Sequence, residues 1–352
     1  MNILHLTPDF NYGDGRSYYV YLLLKYLKKS GLNVILFTNG GDSFDRIENM
    51  NIHAIVNKNF SFKFSFIRSA NILAGMIEKY NIDVIHSHHR YYELIALAAA
   101  GLCKRKVQTV FTALSIVDRR YTVEYKSAKI IAVSRTVRDM LINKFKVNRN
   151  RILVIPNFVD SEDTINSDSV TDVRQDLNIL CIGRFHKEKD QLTLLKAVAL
   201  LKDKHICLTL IGEGKESDVY ENFISGNSIN AKIIHPLKDL DKYYSETDIC
   251  VLPSVRDPFP GFMLQSGLHK KPFIGSDTDG IAELIVNERN GLLFRKRDEN
   301  DLSEKISIFA ENKVLADKCR MNLFDDVSKK YTDKQIIPEI IKLYEDLLIK
   351  NA

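Results

Sequence analysis

Two cations stand in one short loop of the sequence, spaced so that they could hold a diphosphate. In the stretch CIGRFHKEKDQLTLLKAV a strand pattern ends and a helix pattern begins, and Arg184 and Lys189 lie between them. A planar guanidinium can bind two phosphate oxygens at once, while an ammonium supplies a compact charge. A helix N-terminus nearby also attracts anions. The loop therefore predicts a diphosphate site, and the alternative is an exposed basic loop.

Three histidines follow another strand pattern, in the stretch IDVIHSHHRYY. Because side chains alternate along a strand, His86 and His88 share one face and His89 lies on the other. A metal site usually needs further ligands, and none is evident nearby in the sequence. We therefore expect a histidine that hydrogen-bonds a hydroxyl group, and we predict no metal ion.

A loop with two glycines follows the first strand pattern, in the stretch PDFNYGDGRSYY. Gly13 and Gly15 would let a ligand approach the backbone, and the helix pattern that follows offers its N-terminal amides to an anion or a sugar. Tyr18 stands where a dinucleotide-binding fingerprint has its third glycine. The loop therefore argues against an oxidoreductase, and it is otherwise either a ligand contact or a flexible loop.

A carboxylate and an amide bracket the stretch VRDPFPGFMLQSG, with seven residues between Asp257 and Gln265. A second acidic pair, Asp277 and Asp279, has a spacing that can hold a metal ion bridging a nucleotide diphosphate. This pair leads into the helix pattern GIAEL, however, and the two cations of the first loop can already neutralise the phosphates. We therefore predict no metal ion here either.

Strand-like runs rich in Val and Ile alternate with amphipathic helical patterns along most of the chain. The runs are NILHLT, NVILFT, DVIHSH, VQTVFT, KIIAVS and ILVIP, and then LNILCIG, HICLTLIG, AKIIH, DICVLP, PFIGSD and GLLF. This alternation is typical of a parallel sheet with helices on both faces, and it occurs twice. The sequence therefore predicts an α/β protein of two Rossmann-like, doubly wound domains that face each other across a cleft, with ligands at the carboxyl ends of the strands.

The domain limits follow from a polar segment and a late helical pattern. Residues 156–176 are rich in Ser and Asp and lack periodicity, which is typical of a linker. We predict an N-terminal domain over residues 1–160 and a C-terminal domain over residues 161–334. Residues 335–352 form a helical pattern that we expect to pack back toward the N-terminal domain.

Composition and charge limit the class of protein. The longest apolar run, Leu94 to Cys103, is too short to span a membrane, the N-terminus lacks a signal-peptide pattern, and the five cysteines form no Cys-x-x-Cys pair. These features predict a cytoplasmic protein. Residues 1–160 contain 23 Lys and Arg against 12 Asp and Glu, whereas the remainder contains 27 against 33. The basic half could meet an anionic surface, unless the charge is simply uneven between domains.

One stretch of the basic half combines aromatic and cationic residues. NKNFSFKFSFIRS places the phenylalanines at 60, 62, 64 and 66 among Lys58, Lys63 and Arg68. If the stretch is a strand, the four rings share one face and belong to the core. If it is a loop or the start of a helix, the rings could enter a bilayer beneath the cations. We predict peripheral binding to an anionic membrane surface.

Taken in order along the chain, these motifs resemble those of the retaining glycosyltransferases of family 4, which have the GT-B fold. The resemblance covers nearly the whole chain, through GDGRSYYVYLLLKYLKKSGLNVILFT, DVIHSH, SAKIIAVSRTVRDML, ILVIPNFVD, ILCIGRFHKEKD, LIGEG, DICVLPSVRDPFPGFMLQSG, KKPFIGSDTDGIAELI and NGLLF. It implies transfer of a hexose-type sugar from a nucleotide diphosphate to a hydroxyl of a saccharide or lipid-linked acceptor. It also implies retention of the anomeric configuration, no metal and no cofactor. Many relatives build bacterial surface polysaccharides, and a nucleic acid is not expected as a partner.

The same resemblance implies that the domain over residues 1–160 lies on the acceptor side and that the domain over residues 161–334 binds the nucleotide-sugar donor. It also implies roles for individual residues. Arg184 and Lys189 would hold the donor diphosphate and stabilise the negative charge that grows as it leaves. His88 would touch the donor sugar near the reacting carbon, and Asp257 would meet the hydroxyls of that sugar. The other implied donor contacts are Gly15 in the first loop, the amides of Gly261, Phe262 and Met263, Gln265 at the ribose, and Glu283 in a less defined role.

The sequence departs from the family pattern at four residues. Asp257 replaces a glutamate of the motif, and Pro260, which has no N–H, stands where glycine is frequent. Leu114 stands where a polar residue is frequent, and Gln265 replaces the second carboxylate. Because an amide can accept from one ribose hydroxyl and donate to another, we predict a working site. The alternatives are a nucleotide-sugar epimerase or hydrolase of the same fold, and a non-catalytic homologue that binds nucleotide sugars.

Overall fold

The computed structural model describes residues 1–58, 60, 65–120, 123–163, 176–201 and 204–349. The chain divides into two compact units: unit 1 comprises Met1–Asn157 and Asp333–Ala352, and unit 2 comprises Phe158–Thr332. The first boundary thus falls before residue 160, and the second falls before residue 334. Val159 lies in unit 2, where its N–H donates to the carbonyl of Tyr331 at 2.9 Å and so ties the start of this unit to its end.

Unit 1 contains a seven-stranded sheet in which every pair of neighbours is parallel. Its strands are β1 (Asn2–Leu6), β2 (Asn33–Thr38), β3 (His53–Val56), β4 (Val84–Ser87), β5 (Gln108–Ala113), β6 (Lys129–Ala132) and β7 (Ile152–Val154). Its first four α-helices are α1 (Gly15–Lys29), α2 (Phe66–Lys79), α3 (Arg90–Leu102) and α4 (Arg135–Asn143). Short 3₁₀ segments occupy Phe44–Arg46, Glu48–Met50 and Arg149–Arg151. The strand order is β3-β2-β1-β4-β5-β6-β7, which is the order of a doubly wound sheet.

Unit 2 repeats this architecture with a six-stranded sheet, again parallel throughout. Its strands are β8 (Leu177–Ile182), β9 (Ile206–Ile211), β10 (Ala231–Ile234), β11 (Ile249–Leu252), β12 (Phe273–Ser276) and β13 (Leu292–Phe294). Its helices are α5 (Gln191–Leu200), α6 (Ser217–Gly226), α7 (Asp241–Glu246), α8 (Gly261–Leu268), α9 (Asp279–Leu284), α10 (Glu299–Glu311) and α11 (Lys313–Lys330). The strand order is β10-β9-β8-β11-β12-β13. The prediction of two doubly wound α/β domains is confirmed.

Local sequence signals explain where the first helix begins and ends. Asp14 caps α1, because its carboxylate accepts from the N–H of Ser17 at 3.3 Å. The chain leaves the helix through Gly31, whose φ of +82° lies in the left-handed region that glycine adopts without strain. The helix pattern read from the sequence therefore stops where the glycine predicts.

The last helix, α12 (Asp333–Ile349), belongs to unit 1 and packs against α1. Its inner face is apolar, and Tyr344 is buried there with its hydroxyl 2.6 Å from Nδ1 of His86. The helix therefore contributes a polar contact to the centre of the unit 1 sheet as well as apolar surface.

Strand β3 was not predicted from the sequence, and the aromatic stretch around Phe60 is described only in part. Strand β3 carries no continuous buried run, because two of its four residues are exposed, and the sequence therefore gave no signal for it. Phe60 is 1% exposed and packs in the core, whereas Phe66 is half-buried at the start of α2. Residues 61–64, like residues 164–175 of the expected linker, lie outside the described residues. Within the described ranges, no helix combines the length and the apolarity needed to cross a bilayer.

Candidate functional site

Each sheet has one point where its winding reverses. It lies between β1 and β4 in unit 1 and between β8 and β11 in unit 2. Ligands of doubly wound proteins bind at the carboxyl ends of the strands beside this point. The loops that leave these four strands carry most of the residues singled out in the sequence, namely Gly15, His88, Arg184, Lys189 and Asp257.

In unit 1, the loop after β1 is fixed by charged side chains around the start of α1. Arg16 forms ion pairs with Asp9 and with Asp14, the latter at 3.0 Å. Gly15 is the first residue of α1, is exposed, and has open space where a Cβ would lie. The backbone at Gly15 is therefore accessible to a ligand, as the sequence predicts for this position.

Beside this loop, His88 belongs to a cluster of three buried imidazoles. His5 of β1 is paired in register with His86 of β4, so both side chains lie on the same face of the sheet as His88. His5 Nδ1 lies 3.0 Å from His88 Nε2, and the rings of His86 and His88 are 4.3 Å apart between centroids. The sequence places His86 and His88 together correctly, but it gave no sign of His5 because the pairing of β1 with β4 joins distant segments.

Burial keeps this cluster neutral at ordinary pH. It lowers the pKa of His5 to about 3, since a buried imidazolium loses its hydration. It also lowers the pKa of His86 and of His88 well below the ordinary range, with the neighbouring imidazoles as a smaller cause. His86 lies 2.6 Å from both the Thr112 and the Tyr344 hydroxyls. The cluster thus offers neutral hydrogen-bonding groups.

His89 has a different task from the other two histidines of its motif. Its Nδ1 accepts from the N–H of Tyr91 at 3.3 Å, so the ring caps the N-terminus of α3. Burial lowers the pKa of His89 to about 4, and the nearby cations Arg16 and Arg90 act in the same direction. The ring is therefore a neutral cap.

In unit 2, the loop between β8 and α5 presents Arg184 to solvent. The backbone of this loop is held on both sides: Phe185 N–H donates to the carbonyl of Glu213 at 2.8 Å, and the Gln191 amide donates to the carbonyl of Arg184 at 3.1 Å. The Arg184 side chain is exposed and has no ion pair or hydrogen bond with any described residue. A rigid backbone thus carries a guanidinium that is free to bind an anion.

Lys189, from the same loop, forms an ion pair with Asp257 from the loop after β11. Asp257 is 2% exposed, and its carboxylate also accepts from the Ser254 hydroxyl at 3.3 Å. The Lys189 side chain retains 23% exposure. The structure therefore brings together two residues that the resemblance assigned separately, one to the diphosphate and one to the sugar.

The Asp257 loop is held in turn by the start of α9. Asp257 N–H donates to the Asp279 carboxylate at 3.1 Å, and its carbonyl accepts from Gly280 N–H at 3.0 Å. A Cβ on Gly280 would overlap the carbonyl oxygen of Pro258, so only glycine allows this approach. Burial raises the pKa of Asp279. The Asp279 side chain thus accepts a hydrogen bond from the backbone of the Asp257 loop, whereas Asp277 is exposed.

The same loop leads into α8 through Pro260. Pro260 occupies the capping position and makes no side-chain bond to the helix, so the amides of the first turn, at residues 261–263, are not capped by it. Gly261 has open space around its Cβ position, whereas Phe262 and Met263 are buried. The turn can therefore offer backbone N–H groups to an anion while its side chains fix the helix.

Gln265 lies one turn further along α8. Its Oε1 is 3.2 Å from the hydroxyl of Tyr244, a residue of α7 that is 1% exposed. The Tyr244 ring stacks on His269, with centroids 4.0 Å apart and an angle of 17° between planes. The Gln265 amide is thus oriented by the Tyr244 hydroxyl, and the Tyr244 ring is held by its stacking on His269. The sequence did not suggest either residue.

Glu283 is a half-buried residue of α9, and Leu114 is a half-buried residue just after β5. Glu283 lies on the helix whose start supports the Asp257 loop. Leu114 gives that position an apolar side chain, in line with the departure noted in the sequence.

Two family models match the chain. One described as Glycosyltransferase Family 4 matches residues 13–163, and one described as Glycosyl transferases group 1 matches residues 176–312. Together they cover both units, including the loops described above. The chain belongs to glycosyltransferase family 4. The two parallel α/β units of this glycosyltransferase are those of the GT-B fold.

Relatives of known sequence and structure agree with this assignment. An uncharacterized glycosyltransferase of Methanocaldococcus jannaschii is 28% identical over 364 aligned positions, which span 99% of each chain. A Campylobacter jejuni N,N'-diacetylbacillosaminyl-diphospho-undecaprenol alpha-1,3-N-acetylgalactosaminyltransferase is 25% identical over 82% of this chain and 83% of its own length. The crystal structure of Anabaena HepE in complex with UDP and glucose superposes with a TM-score of 0.85 at 16% identity, covering 97% of this chain and 99% of that one.

Sequence reasoning on this family 4 glycosyltransferase missed His5 and Tyr244, and it considered Asp279 only as part of a possible metal-binding pair. His5, Tyr244 and Asp279 each contact a predicted residue from a distant part of the chain. His5 carried the best available signal, since a histidine in a strand next to the His86 strand would share its face if the strand order were known. Tyr244 and Asp279 act through loop and helix geometry that has no short sequence pattern.

Proposed function

We propose that this glycosyltransferase moves a hexose-type sugar from a nucleoside diphosphate sugar to a hydroxyl of a saccharide or lipid-linked acceptor, with retention of the anomeric configuration. The observation that carries the proposal is in unit 2. There, three features lie beside the switch point of one sheet: the Arg184 guanidinium, which pairs with no described residue, the Lys189–Asp257 pair, and the first turn of α8, which Pro260 does not cap. This is the set of groups that a diphosphate joined to a sugar requires.

The donor diphosphate would be bound by Arg184 together with the amides of residues 261–263. As the bond between sugar and phosphate breaks, negative charge grows on the diphosphate, and fixed cations stabilise it. Lys189 would act on both sides of that bond, because its ammonium forms an ion pair with Asp257. Asp257 would then bind sugar hydroxyls with the orientation that Ser254 and Asp279 impose on its loop.

The proposed reaction needs no metal ion. Two cations at the diphosphate can balance the charge that a divalent metal would otherwise neutralise, and the carboxylate of Asp279 is engaged by the backbone of Asp257. Gln265 would contact the ribose, and Glu283 would assist on the same side of unit 2. The donor contacts of His88 and Gly15 in unit 1 stay predictions from the sequence.

The acceptor class is proposed from the relatives. The Campylobacter jejuni relative and a galactosyltransferase of Escherichia coli are both named for acceptors carried on a diphosphate-linked undecaprenol. A lipid-linked acceptor of this kind lies at a membrane surface, which would suit an excess of cations in residues 1–160. We therefore propose a role in the synthesis of bacterial surface polysaccharide, in the cytoplasm at the inner face of the membrane.

A donor screen followed by product analysis tests this function. Nucleoside diphosphates and nucleotide sugars are first compared by thermal shift, where a ligand at one hundred times its Kd should stabilise the fold by about 2.7 kcal/mol. The best donor is then incubated with and without a diphosphate-linked lipid saccharide, in the presence of EDTA. We expect a new glycosidic bond whose NMR coupling matches the donor configuration. Change of the donor without acceptor would instead indicate an epimerase or hydrolase, and binding without turnover across acceptors would indicate a non-catalytic homologue.

A further inference from the structure

Asp279 has a backbone conformation that glycine would adopt more easily. Its φ is +40°, in the left-handed region where the Cβ of an L-residue crowds the backbone. Aspartate tolerates this region better than most residues do, but only glycine lies there without strain. Strained residues persist where their surroundings enforce the conformation, and they are concentrated at functional sites. The contacts that enforce this conformation therefore indicate its use.

The turn formed by Asp279 and Gly280 packs against the Asp257 loop. The Asp279 carboxylate accepts from the N–H of Asp257 at 3.1 Å, and the N–H of Gly280 donates to the Asp257 carbonyl at 3.0 Å. The approach is so close that a Cβ on Gly280 would lie 2.0 Å from the carbonyl oxygen of Pro258. One turn of two residues therefore binds both backbone polar groups of Asp257.

The residues that precede Asp257 in this loop are held from two further directions. The Ser276 hydroxyl donates to the Ser254 carbonyl, and the Thr278 hydroxyl donates to the Val255 carbonyl at 3.3 Å. The N–H of Val255 donates in turn to the carbonyl of Glu188 at 2.9 Å. The path of the chain from residue 254 to residue 257 is therefore fixed without any ligand.

The side chain of Asp257 is fixed through one of its two oxygens. Lys189 and Ser254 both donate to Oδ2, the latter at 3.3 Å. Within the part of the chain that the structure describes, no hydrogen bond reaches Oδ1. Since the backbone is held at one end of this short side chain and Oδ2 at the other, Oδ1 is the oxygen left for a ligand.

We propose that Asp279 is a positioning residue, which keeps a strained backbone conformation so that its carboxylate fixes the Asp257 amide and Oδ1 of Asp257 is in place for the transferred sugar before the donor binds. This role rests on the function proposed above. The strain lowers the stability of the free protein, whereas the benefit appears in turnover, because a carboxylate that is already in place does not have to be ordered during the reaction. The alternative is a turn that only supports the fold.

Three substitutions of Asp279 separate the hydrogen bond from the strain. Asp279→Asn keeps an acceptor oxygen and tolerates the left-handed region, Asp279→Gly removes both the acceptor and the strain, and Asp279→Ala removes the acceptor and keeps the strain. We expect kcat/KM for the nucleotide sugar to stay within about threefold of wild type in Asp279→Asn, and to fall at least about tenfold in the other two. The melting temperature should be lowest in Asp279→Ala and close to wild type in the other two. The Kd of the nucleoside diphosphate should stay within about threefold in all three, since its contacts are elsewhere in the site.

A turn that only supports the fold would make activity follow stability. Wild-type kcat/KM in Asp279→Gly would therefore overturn the proposal, and so would a loss in Asp279→Asn equal to that in Asp279→Ala. Glu288 supplies the matched control, because it is exposed, has a φ of +61° and donates its N–H to the carbonyl of Gly291. Glu288→Gly should melt above Glu288→Ala, and both should turn over at the wild-type rate.

Proton–nitrogen NMR of the free protein tests the same contact without a donor. In the full chain labelled with ¹⁵N-aspartate, the Asp257 amide is identified by its loss in Asp257→Asn. Because an amide that donates to a carboxylate resonates at low field, its proton should move upfield in Asp279→Gly and in Asp279→Ala, and less in Asp279→Asn. An unchanged signal in the first two would overturn the proposal. Absence of turnover in the wild type would contradict the proposed function, and this signal would still decide whether Asp279 fixes the Asp257 amide.

Discussion

The hydroxyl of Tyr244 lies 3.2 Å from Oε1 of Gln265, so the amide at the proposed ribose contact is oriented by a buried phenol. With Oε1 engaged by that phenol, the amide nitrogen is the group left to meet a ligand. An amide nitrogen donates, whereas the carboxylate that the family pattern implies at this position would accept. The Gln265 side chain is therefore as long as that of a glutamate, but it would donate a hydrogen bond to the ribose where a glutamate would accept one.

Replacing Gln265 tests this arrangement. Gln265→Glu should tighten nucleoside diphosphate binding or leave it unchanged, because charge-assisted bonds to ribose hydroxyls contribute about 1.5–3 kcal/mol against about 0.5–1.5 kcal/mol for neutral ones. Gln265→Ala should weaken binding by about 1 kcal/mol, and Tyr244→Phe should have a smaller effect in the same direction. Calorimetry measures each, with Tyr243→Phe on the same helix as control. Loss of binding in Gln265→Glu would show that the amide donor is required.

Truncation of Arg184 and truncation of Lys189 should have different effects on stability. Arg184→Ala should reduce kcat/KM by the equivalent of about 2–4 kcal/mol and leave thermal stability unchanged, since its side chain makes no ion pair with any described residue. Lys189→Ala should lose a similar amount of activity and also about 1–3 kcal/mol of stability, because Asp257 is left buried without its partner. Urea unfolding and initial rates measure both, with the exposed Lys187→Ala as control. Wild-type turnover in either variant would remove it from the diphosphate site.

Asp257→Asn should affect turnover more than nucleotide binding. The substitution removes a negative charge beside the sugar, where positive charge develops as the bond to phosphate breaks, whereas the nucleotide contacts remain. We expect kcat to fall by at least about tenfold and the Kd of the nucleoside diphosphate to change by less than about threefold. Turnover equal to wild type would indicate that the loop is structural and would favour the non-catalytic alternative.

The buried histidines should make stability depend on pH. Burial lowers the pKa of His5 from 6.5 to about 3, so below pH 6.5 the unfolded chain binds a proton that the folded chain does not. The free energy of unfolding should therefore fall as pH drops from 6.5 toward 3, by about 1.4 kcal/mol per pH unit for each such histidine. Urea unfolding at pH 7, 6 and 5 measures the slope. His5→Asn should reduce it, and a slope equal to that of wild type would contradict burial of this imidazole.

Membrane binding can be tested at the start of α2. Ile67 is 75% exposed there, next to the exposed Arg68, on the unit with the excess of cations. We expect sedimentation with anionic vesicles, weakened by added salt and by Ile67→Glu. Val314 of unit 2, 82% exposed, gives a matched control in Val314→Glu. Absence of binding at low salt, or equal loss in the two variants, would contradict this surface.

The sequence predicted the fold well because a parallel sheet buried on both faces leaves continuous apolar runs. Strands such as β4 and β11 are buried along their whole length and were evident from composition alone. The edge strand β3 was not predicted from the sequence, because half of its residues are exposed. The short 3₁₀ segments were not predicted either, because they bury no residue and so leave no apolar pattern.

The sequence indicated candidate site residues but not the contacts between them. Arg184, Lys189 and Asp257 follow strands, and the carboxyl ends of parallel strands are where ligands bind. Their pairing was not predictable, because Lys189 and Asp257 are 68 residues apart and meet only once β8 lies beside β11. The contact between His5 and His88 was not predictable for the same reason, because the two residues are 83 positions apart in the sequence.

Unit 1 is discontinuous in the chain, and this has a consequence for its biosynthesis. A ribosome makes the seven strands of unit 1 first, then all of unit 2, and only afterwards the helix that places Tyr344 against His86. Until α12 has emerged, the nascent sheet lacks both the apolar cover on α1 and the hydroxyl that satisfies His86. The core of unit 1 therefore cannot be completed before all of unit 2 has been synthesised.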